Sequence, residues 1–430
     1  MHDISIPCNL YRGGTSRGLL FLEEHLPYPR EVLEKILLRI FGSPDVRQID
    51  GVGGATSLTS KALIVGPDRT ADTDVRMTFA QVGVTAPTVD WGGNCGNMTT
   101  AVGPFAIECG LVTAVEPVTV VRIRSSNTGL LVRAHVPVRN GRVSTQGDYA
   151  LPGVPGTAAR IDLEWLDPGG TVTGRLLPTG RPVDRFVLAD GRHLEVSIVD
   201  AGNPVVFCEA SALGATGTEL PAQLEAQPRV MQTLEEIRSI TAELLGIVPD
   251  RTAATQRSPG LPKVALVAPR AAYRATTGKD VAIDTHDLHA RLLSMQTAHR
   301  SYAGAGAICT AVASLLPGTI VHACWHPSAD GHPRTAHRNI VRIAHPAGVT
   351  DVEIELQTGN AEPQVLSAKL GRTARRIMSG VAWVPVELLR ETEAQNSVNG
   401  RADMGALSLI TRPGRISVSA LRRIDAGWYG

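Results

Sequence analysis

Residues 92–110 read GGNCGNMTTAVGPFAIECG, and the fold follows from that stretch. From Asn97 onward it is small or apolar on every side. A helix without a polar face is a buried helix, so the pattern predicts one over Asn97–Gly110, with Pro104 as the point where it would bend. A second stretch of the same kind, GAICTAVASLL at Gly306–Leu316, follows the small residues Ala303, Gly304 and Ala305. Each buried helix needs a sheet around it, and the chain supplies strands. Val118–Ile123, Leu194–Val199, Lys263–Ala268, Ile340–Ile343 and Val352–Leu356 are apolar or alternating and rich in Val and Ile. Other helical patterns are few: Arg30–Phe41, Gln227–Leu245 and Asp284–Met295.

The two helical stretches share Thr-Ala-Val, at Thr100–Val102 and Thr310–Val312. Upstream of them, KALIVGP from Lys61 resembles KVALVAP from Lys263. Further back, RGGTSRGLLF from Arg12 resembles DAGNPVVF from Asp200. Three matches in one order point to an internal duplication of roughly half the chain. The expected fold is α/β (α+β), with two pseudo-symmetric domains. Each is a mostly antiparallel sheet wrapped around one buried central helix. The division expected is 1–188 and 189–375. A cleft between paired domains suits a small-molecule site.

Composition narrows the function. A chain of 430 residues exceeds one ordinary core. Its formal net charge is +1 and no dense Lys/Arg run occurs, so neither a nucleic acid nor a membrane surface is an expected partner. No apolar run reaches the ~18 residues a membrane span needs. The N-terminal MHDISIPCNLYRGG has no secretory pattern, which leaves the cytoplasm as the expected location. The cysteines are scattered, without a CxxC pair, and read as free thiols. Lysine is scarce: only Lys35, Lys61, Lys263, Lys279 and Lys369 stand against an arginine-rich background. Lysine loses its proton when desolvated and arginine does not, so each lysine invites a reason.

Four constellations carry chemistry. Gly92–Asn97 precedes a helix start, where free N–H groups and the macrodipole favour an anion such as a carboxylate. There Gly93 and Gly96 allow close backbone approach. Asn94 and Asn97 offer amides, and Cys95 sits where a thiol is activated. The plainer alternative is a capped helix with an inert cysteine. Lys61 follows the Gly/Ser/Thr-rich run GVGGATSLTS and opens an apolar strand. Burial there would make its amine a base; otherwise it is a snorkelling side chain. Lys263 shares the setting without the Ser/Thr loop and reads as a structural echo of the repeat. The turn Arg12-Gly-Gly-Thr15-Ser16-Arg17-Gly18 offers hydroxyls and guanidiniums for a carboxylate, or is a turn with solvated arginines. Arg300 and Ser301, before the second helix, would hold another carboxylate, with His299 beside them as a core histidine. His322, His326, His332, His337 and His345, with Cys324 among them, allow a zinc reading, but no HExxH or CxxC spacing supports it.

Together Arg12-Gly-Gly-Thr-Ser16, Asp50-Gly-Val-Gly-Gly54, Lys61 and Gly92-Gly-Asn-Cys-Gly-Asn97 resemble the 2-methylaconitate cis–trans isomerase family, the PrpF proteins. The second half agrees through Asp200-Ala-Gly-Asn-Pro204, Met295–Ile308, Pro317-Gly-Thr319, His345-Pro-Ala-Gly348 and Arg372-Thr-Ala-Arg375. The resemblance runs from about residue 5 to 385. It implies the diaminopimelate-epimerase fold, in which the last strands, from about 376–430 here, return to the first domain, and a proton-moving isomerase of unsaturated di- or tricarboxylates. The family includes 2-methylaconitate, methylitaconate and aconitate isomerases and 4-oxalomesaconate tautomerase. It further implies no metal or organic cofactor. Lys61 is then the catalytic lysine and Cys95 the cysteine beside the substrate; the motifs read above add Arg12, Thr15, Ser16, Gly93, Asn94, Gly96, Asn97, Arg300 and Ser301 as the expected substrate-binding residues. A homodimer is open to it. Epimerase relatives pair two cysteines, whereas Cys309 falls inside the second helix pattern rather than at its mouth. Ala347 replaces a serine that many relatives carry. The rival classes are a polycarboxylate-binding protein without catalysis and a zinc hydrolase.

Overall fold

The Asp3–Gly13 and Ser16–Leu22 strands form an antiparallel hairpin, and Ser16–Leu22 runs parallel to Lys61–Pro67. Lys61–Pro67 then pairs antiparallel with Val75–Val82, which runs parallel to Val118–Ser125. Leu131–Arg139 and Ile161–Leu166 follow, each antiparallel to its neighbour. The second half repeats this sequence of senses. His193–Ala201 and Asn203–Glu209 form the hairpin, and Lys263–Pro269 runs parallel to it. Leu288–Ser294 is antiparallel, Arg338–His345 parallel, and Gly348–Gln357 and Gln364–Arg372 antiparallel. Ile161–Leu166 pairs with Gln364–Arg372 and joins the halves edge to edge.

This is a computed structural model describing residues 3–388, except 69, 71, 328–337 and 358–362. Ile4–Val384 form one compact unit.

Both predicted core helices are present, at Gly96–Glu108 and Gly304–Ser314. Every residue from Gly96 to Ala106, and every residue of the second helix, is buried. Their polar side chains survive burial by bonding back one turn. Thr99 donates to the Cys95 carbonyl, Thr100 to Gly96, Thr310 to Gly306 and Ser314 to Thr310. The strands around the first helix turn alternate residues inward, as with Val121, Ile123, Val132, Ala134, Leu163 and Trp165. The Arg30–Phe41 helix forms as expected and stops at Gly42 in the left-handed conformation. The Gln227–Leu245 pattern forms a helix over Pro228–Leu244.

One expected helix is a strand. Within Asp284–Met295 the chain makes a short 3-10 turn at Ile283–Thr285 and then the Leu288–Ser294 strand. From Leu288 to Leu293 every residue is buried. A strand covered on both faces shows an unbroken apolar run rather than alternation. The leucines of LHARLLSM therefore imitate a helical stripe.

The Asp184–Val187 strand pairs with His193–Ala201, so the expected changeover at 188/189 falls in the turn of that hairpin. Ala374–Pro385 pairs with the first strand, Asp3–Gly13. The rest of the expected returning segment lies outside the described residues.

Candidate active site

The parallel register places Gly18 beside Lys61. A Cβ on Gly18 would sit 2.2 Å from the Lys61 carbonyl oxygen, so glycine is what lets these strands close. Lys61 is the first residue of its strand and only 7% exposed. Its amine donates to the Gln81 side-chain oxygen and lies 5.3 Å from the centre of the Phe79 ring. Burial lowers its pKa below the ordinary 10.5, against the upward pull of Cys95 and Asp90.

The two core helices begin at the same place. A Cβ on Gly96 would lie 3.1 Å from the Ala305 nitrogen and 3.2 Å from the Gly304 carbonyl carbon. The helices thus meet nose to nose, so close that a Cβ would have to push its neighbours aside. Neither N-cap residue, Cys95 or Ala303, provides a side-chain cap. The first intrahelical amides are those of Thr99 and Ala307; the N–H groups ahead of them and both dipoles face one spot. That spot is the floor of a cleft of about 570 Å³ measured to its open mouth. Lys61, Phe79, Gln81, Cys95 and Asn97 line it from the first half, and Lys263, Ser294 and His299 from the second.

Of the residues expected from sequence, Lys61, Cys95, Ser16, Gly93, Asn94, Gly96 and Asn97 meet in this cleft. Ser16 Oγ and Asn97 Oδ1 are buried and without a partner among the described residues, which leaves them for a ligand. Asn94 is largely committed to structure. Its amide nitrogen donates to the Gly202 carbonyl, and its oxygen accepts from Ser125 and Thr128. Thr15 and Ser301 lie outside the lining and bond to each other at 2.8 Å, while Asn97 donates to Thr15 at 3.0 Å. The structure does not bring the two arginines to the cleft. Arg12 donates to the carbonyls of Gly14 and Thr373 and so braces the turn. Arg300 is 54% exposed at its side chain and pairs with Glu225 at 3.1 Å. A glycine-rich turn can use its guanidinium on its own carbonyls, and the sequence does not distinguish that from a ligand contact.

The cleft also holds residues that were not expected to meet a ligand. Asp90 accepts from Gly92 through one oxygen and from Gly260 through the other, linking the halves. Asn203 accepts from the Asn94 backbone N–H and donates to the Asn94 carbonyl, both at 3.0 Å. His299 Nδ1 accepts the Ser301 N–H at 3.1 Å, so the neutral ring carries its proton on Nε2. Burial, then repulsion from Lys61 and Lys263, pushes His299 down to about 3. It is a neutral donor lining the site rather than a bystander in the core. Met295 and Gln296 adopt φ of 54° and 58°, a tight hairpin turn that puts Met295 in the cleft wall.

Cys309 lies inside the second helix, buried, with its thiol on the Val199 carbonyl at 3.2 Å. Ala303 holds the N-cap place that Cys95 holds in the first half. The cleft therefore has one thiol at its helix starts. Ala347 is buried against the Gly153 turn and is not a lining residue. Of the histidines, His322 bonds the Ser314 carbonyl and His345 bonds Thr350, while His332 and His337 lie outside the described residues. Among the described residues no group of three or more His, Cys, Asp or Glu gathers, and no helix is long and apolar enough to cross a membrane.

The family model of PrpF proteins matches residues 3–385. The chain belongs to the PrpF family. This PrpF protein is 43% identical over 383 residues to a 3-methylitaconate isomerase of Eubacterium barkeri, covering 89% of this chain and 98% of that one. It is 38% identical over 385 residues to a 4-oxalomesaconate tautomerase of Pseudomonas putida, covering 89% and 97%. The crystal structure of a methylitaconate-delta-isomerase superposes with a TM-score of 0.71 at 41% identity, over 90% of this chain and 98% of that one. A hydroxyproline epimerase of Agrobacterium vitis shares the fold, with a TM-score of 0.52 at 13% identity over 88% and 93%.

Proposed function

We propose that this PrpF protein is an isomerase that moves a proton on an unsaturated di- or tricarboxylate, with Lys61 as base and Cys95 as the second proton carrier. One observation carries the reading. A buried amine and a thiol share a cleft whose floor is made by two uncapped helix starts. Relatives matched along nearly their whole length are named isomerases or a tautomerase, which supports the reaction class.

The chemistry follows from that geometry. A carbon next to a double bond that bears a carboxylate is a poor acid. When the neutral Lys61 amine takes its proton, the C–H electron pair becomes a new double bond. The old double bond then delivers its electrons into the carboxylate as a dienolate. The helix N–H groups, that of Asn97 among them, and the His299 Nε2–H stabilise that developing charge by preorganisation. The Cys95 thiol, or the ammonium formed on Lys61, returns a proton to the far carbon. The double bond has then shifted, or its geometry has changed. Ser16 binds carboxylate through its hydroxyl, and Gly93, Gly96 and Asn97 through their backbone N–H groups. Thr15, Asn94, Ser301 and Arg12 hold that layer in place.

The division into 1–188 and 189–375, a homodimer and a cytoplasmic location complete the proposal. The repeated order of strand senses supports the first, and the free cysteines are consistent with the last. The decisive experiment is proton NMR in deuterated water with methylitaconate, 2-methylaconitate, oxalomesaconate and aconitate. Deuterium enters an allylic position of at least one acid. No exchange and no isomerisation with any of them overturns the reading.

A further inference from the structure

Lys263 occupies in the second half the place Lys61 occupies in the first. Each is the first residue of a strand that runs parallel to a hairpin arm, with Gly18 beside Lys61 and Val205 beside Lys263. Lys263 is 9% exposed and lines the same cleft. Its neighbours differ, however. Lys263 donates to the Gly260 carbonyl at 3.2 Å and to Ser294 Oγ at 3.3 Å. The carbonyl can only accept. As an ammonium, the nitrogen donates to both and keeps one of its three protons for a ligand.

The charge balance of the cleft gives that proton a use. The side chains expected to meet carboxylates, Arg12 and Arg300, are spent elsewhere. His299 is neutral, and Asp90 adds a negative charge to the lining. If Lys61 is to act as a base, it must be uncharged when the proton leaves carbon. The helix starts offer roughly half a positive charge each, enough for one carboxylate. A second or third carboxylate needs a cation, and Lys263 is the other cationic side chain in the lining.

We propose that Lys263 binds the distal carboxylate of the substrate, the one not seated on the paired helix starts, and thereby selects acids with an additional carboxylate arm. This rests on the reading of the cleft as a polycarboxylate site. Lys263 is then a specificity residue, and its loss weakens binding more than it slows the proton transfer. Its ordinary pKa is pushed by burial, and then by Lys61, down to about 8, which leaves it mostly charged at neutral pH.

The test uses the purified full chain, non-reacting probes and isothermal titration calorimetry. The probes are propane-1,2,3-tricarboxylate and the monocarboxylate butanoate. Lys263→Met and Lys263→Gln are expected to weaken the tricarboxylate by about tenfold to a hundredfold, as for a lost charge-assisted hydrogen bond. Butanoate is expected to weaken by less than about threefold, since the helix starts alone can seat its one carboxylate. Lys263→Arg retains most of the tricarboxylate affinity. Methionine removes a buried charge and keeps the volume, so the fold is preserved, and an unchanged circular dichroism melt verifies it. Equal losses for both probes, no loss for either, or no binding of the tricarboxylate by the parent chain overturns the inference. Solvent-deuterium exchange with unsaturated acids separates the two layers. Exchange by the parent with no Lys263 effect on binding defeats this inference alone. A selective binding loss without exchange on any acid defeats the isomerase reading alone.

Discussion

Lys61 and Lys263 head equivalent strands, and each reaches the residue opposite on the next strand: Lys61 bonds to Gln81, and Lys263 bonds to Ser294. The duplication thus delivers two buried amines to one cleft and then makes them unequal. Gln81 and Phe79 surround the first, whereas a carbonyl and a hydroxyl hold the second. Among the described residues, the cleft's one lining thiol, Cys95, and its one buried asparagine oxygen without a partner, that of Asn97, come from the first half as well.

Two buried amines with depressed pKa values tie stability to pH. The unfolded chain holds the Lys263 proton up to its ordinary 10.5, while the folded chain releases it near 8. Between these values the unfolded state binds more protons, so unfolding free energy rises with pH. Lys61 contributes with the same sign. The thiols of Cys8, Cys109, Cys208, Cys309 and Cys324, raised by desolvation above their ordinary 9.0, act with the opposite sign at higher pH. The rise is therefore read as the difference in urea-unfolding free energy between the parent and Lys263→Met, which is expected to grow in the parent's favour from pH 7.5 to 10.

Gly18→Ala tests the closeness of the strands. Its new Cβ would fall 2.2 Å from the Lys61 carbonyl oxygen, a backbone atom that cannot swing away. The Ser16–Leu22 and Lys61–Pro67 strands must part. A stability loss of about 1–3 kcal/mol, typical of overpacking, and a fall in turnover as Lys61 shifts are the expected results of urea unfolding and kinetics.

Asn203→Ala tests the clasp between the halves. It leaves the buried Asn94 N–H and carbonyl without their partner. Leaving such groups unsatisfied costs about 1–3 kcal/mol, and Cys95 is the next residue along. Denaturant titration is expected to show a loss in that range, and steady-state kinetics a lower turnover.

Cys95→Ser separates the two proton carriers. With the thiol replaced, Lys61 still exchanges hydrogen at its own carbon, while exchange at the far carbon falls by about 10²–10⁴-fold, the scale of a lost general acid. Position-resolved NMR in deuterated water reads the two carbons apart. Equal rates at both carbons would show that Lys61 carries both transfers.

Much of this was legible in sequence. The helices at Gly96 and Gly304 betrayed themselves by having no polar face, and Lys61 and Lys263 by being lysines in an arginine-rich chain. The repeat was legible only in part. The lysine strands are structurally equivalent, but Thr100 and Thr310 stand at different distances from their helix starts, Gly96 and Gly304. The shared Thr-Ala-Val is therefore not a structural correspondence. Gln81, Asp90 and Ser294 carried no signal, because common polar residues become a site only through strand register between distant segments, and Asn203 stood out only as part of the Asp200–Pro204 string. His299 looked like a core histidine, and only the Ser301 N–H on its Nδ1 shows which nitrogen remains to face the cleft. Arg12 and Arg300 had the right charge beside the right glycines, yet nearby carbonyls and Glu225 claimed them first. The Leu288–Ser294 strand was hidden by being buried on both faces.

The most direct test of the account is deuterium uptake by Lys61→Met from heavy water into an acid that the parent chain isomerises. The account predicts a correctly folded protein that still binds the acid and whose exchange at the first allylic carbon falls by about 10²–10⁴-fold or more. Near-parental exchange at that carbon in the same folded variant would contradict it.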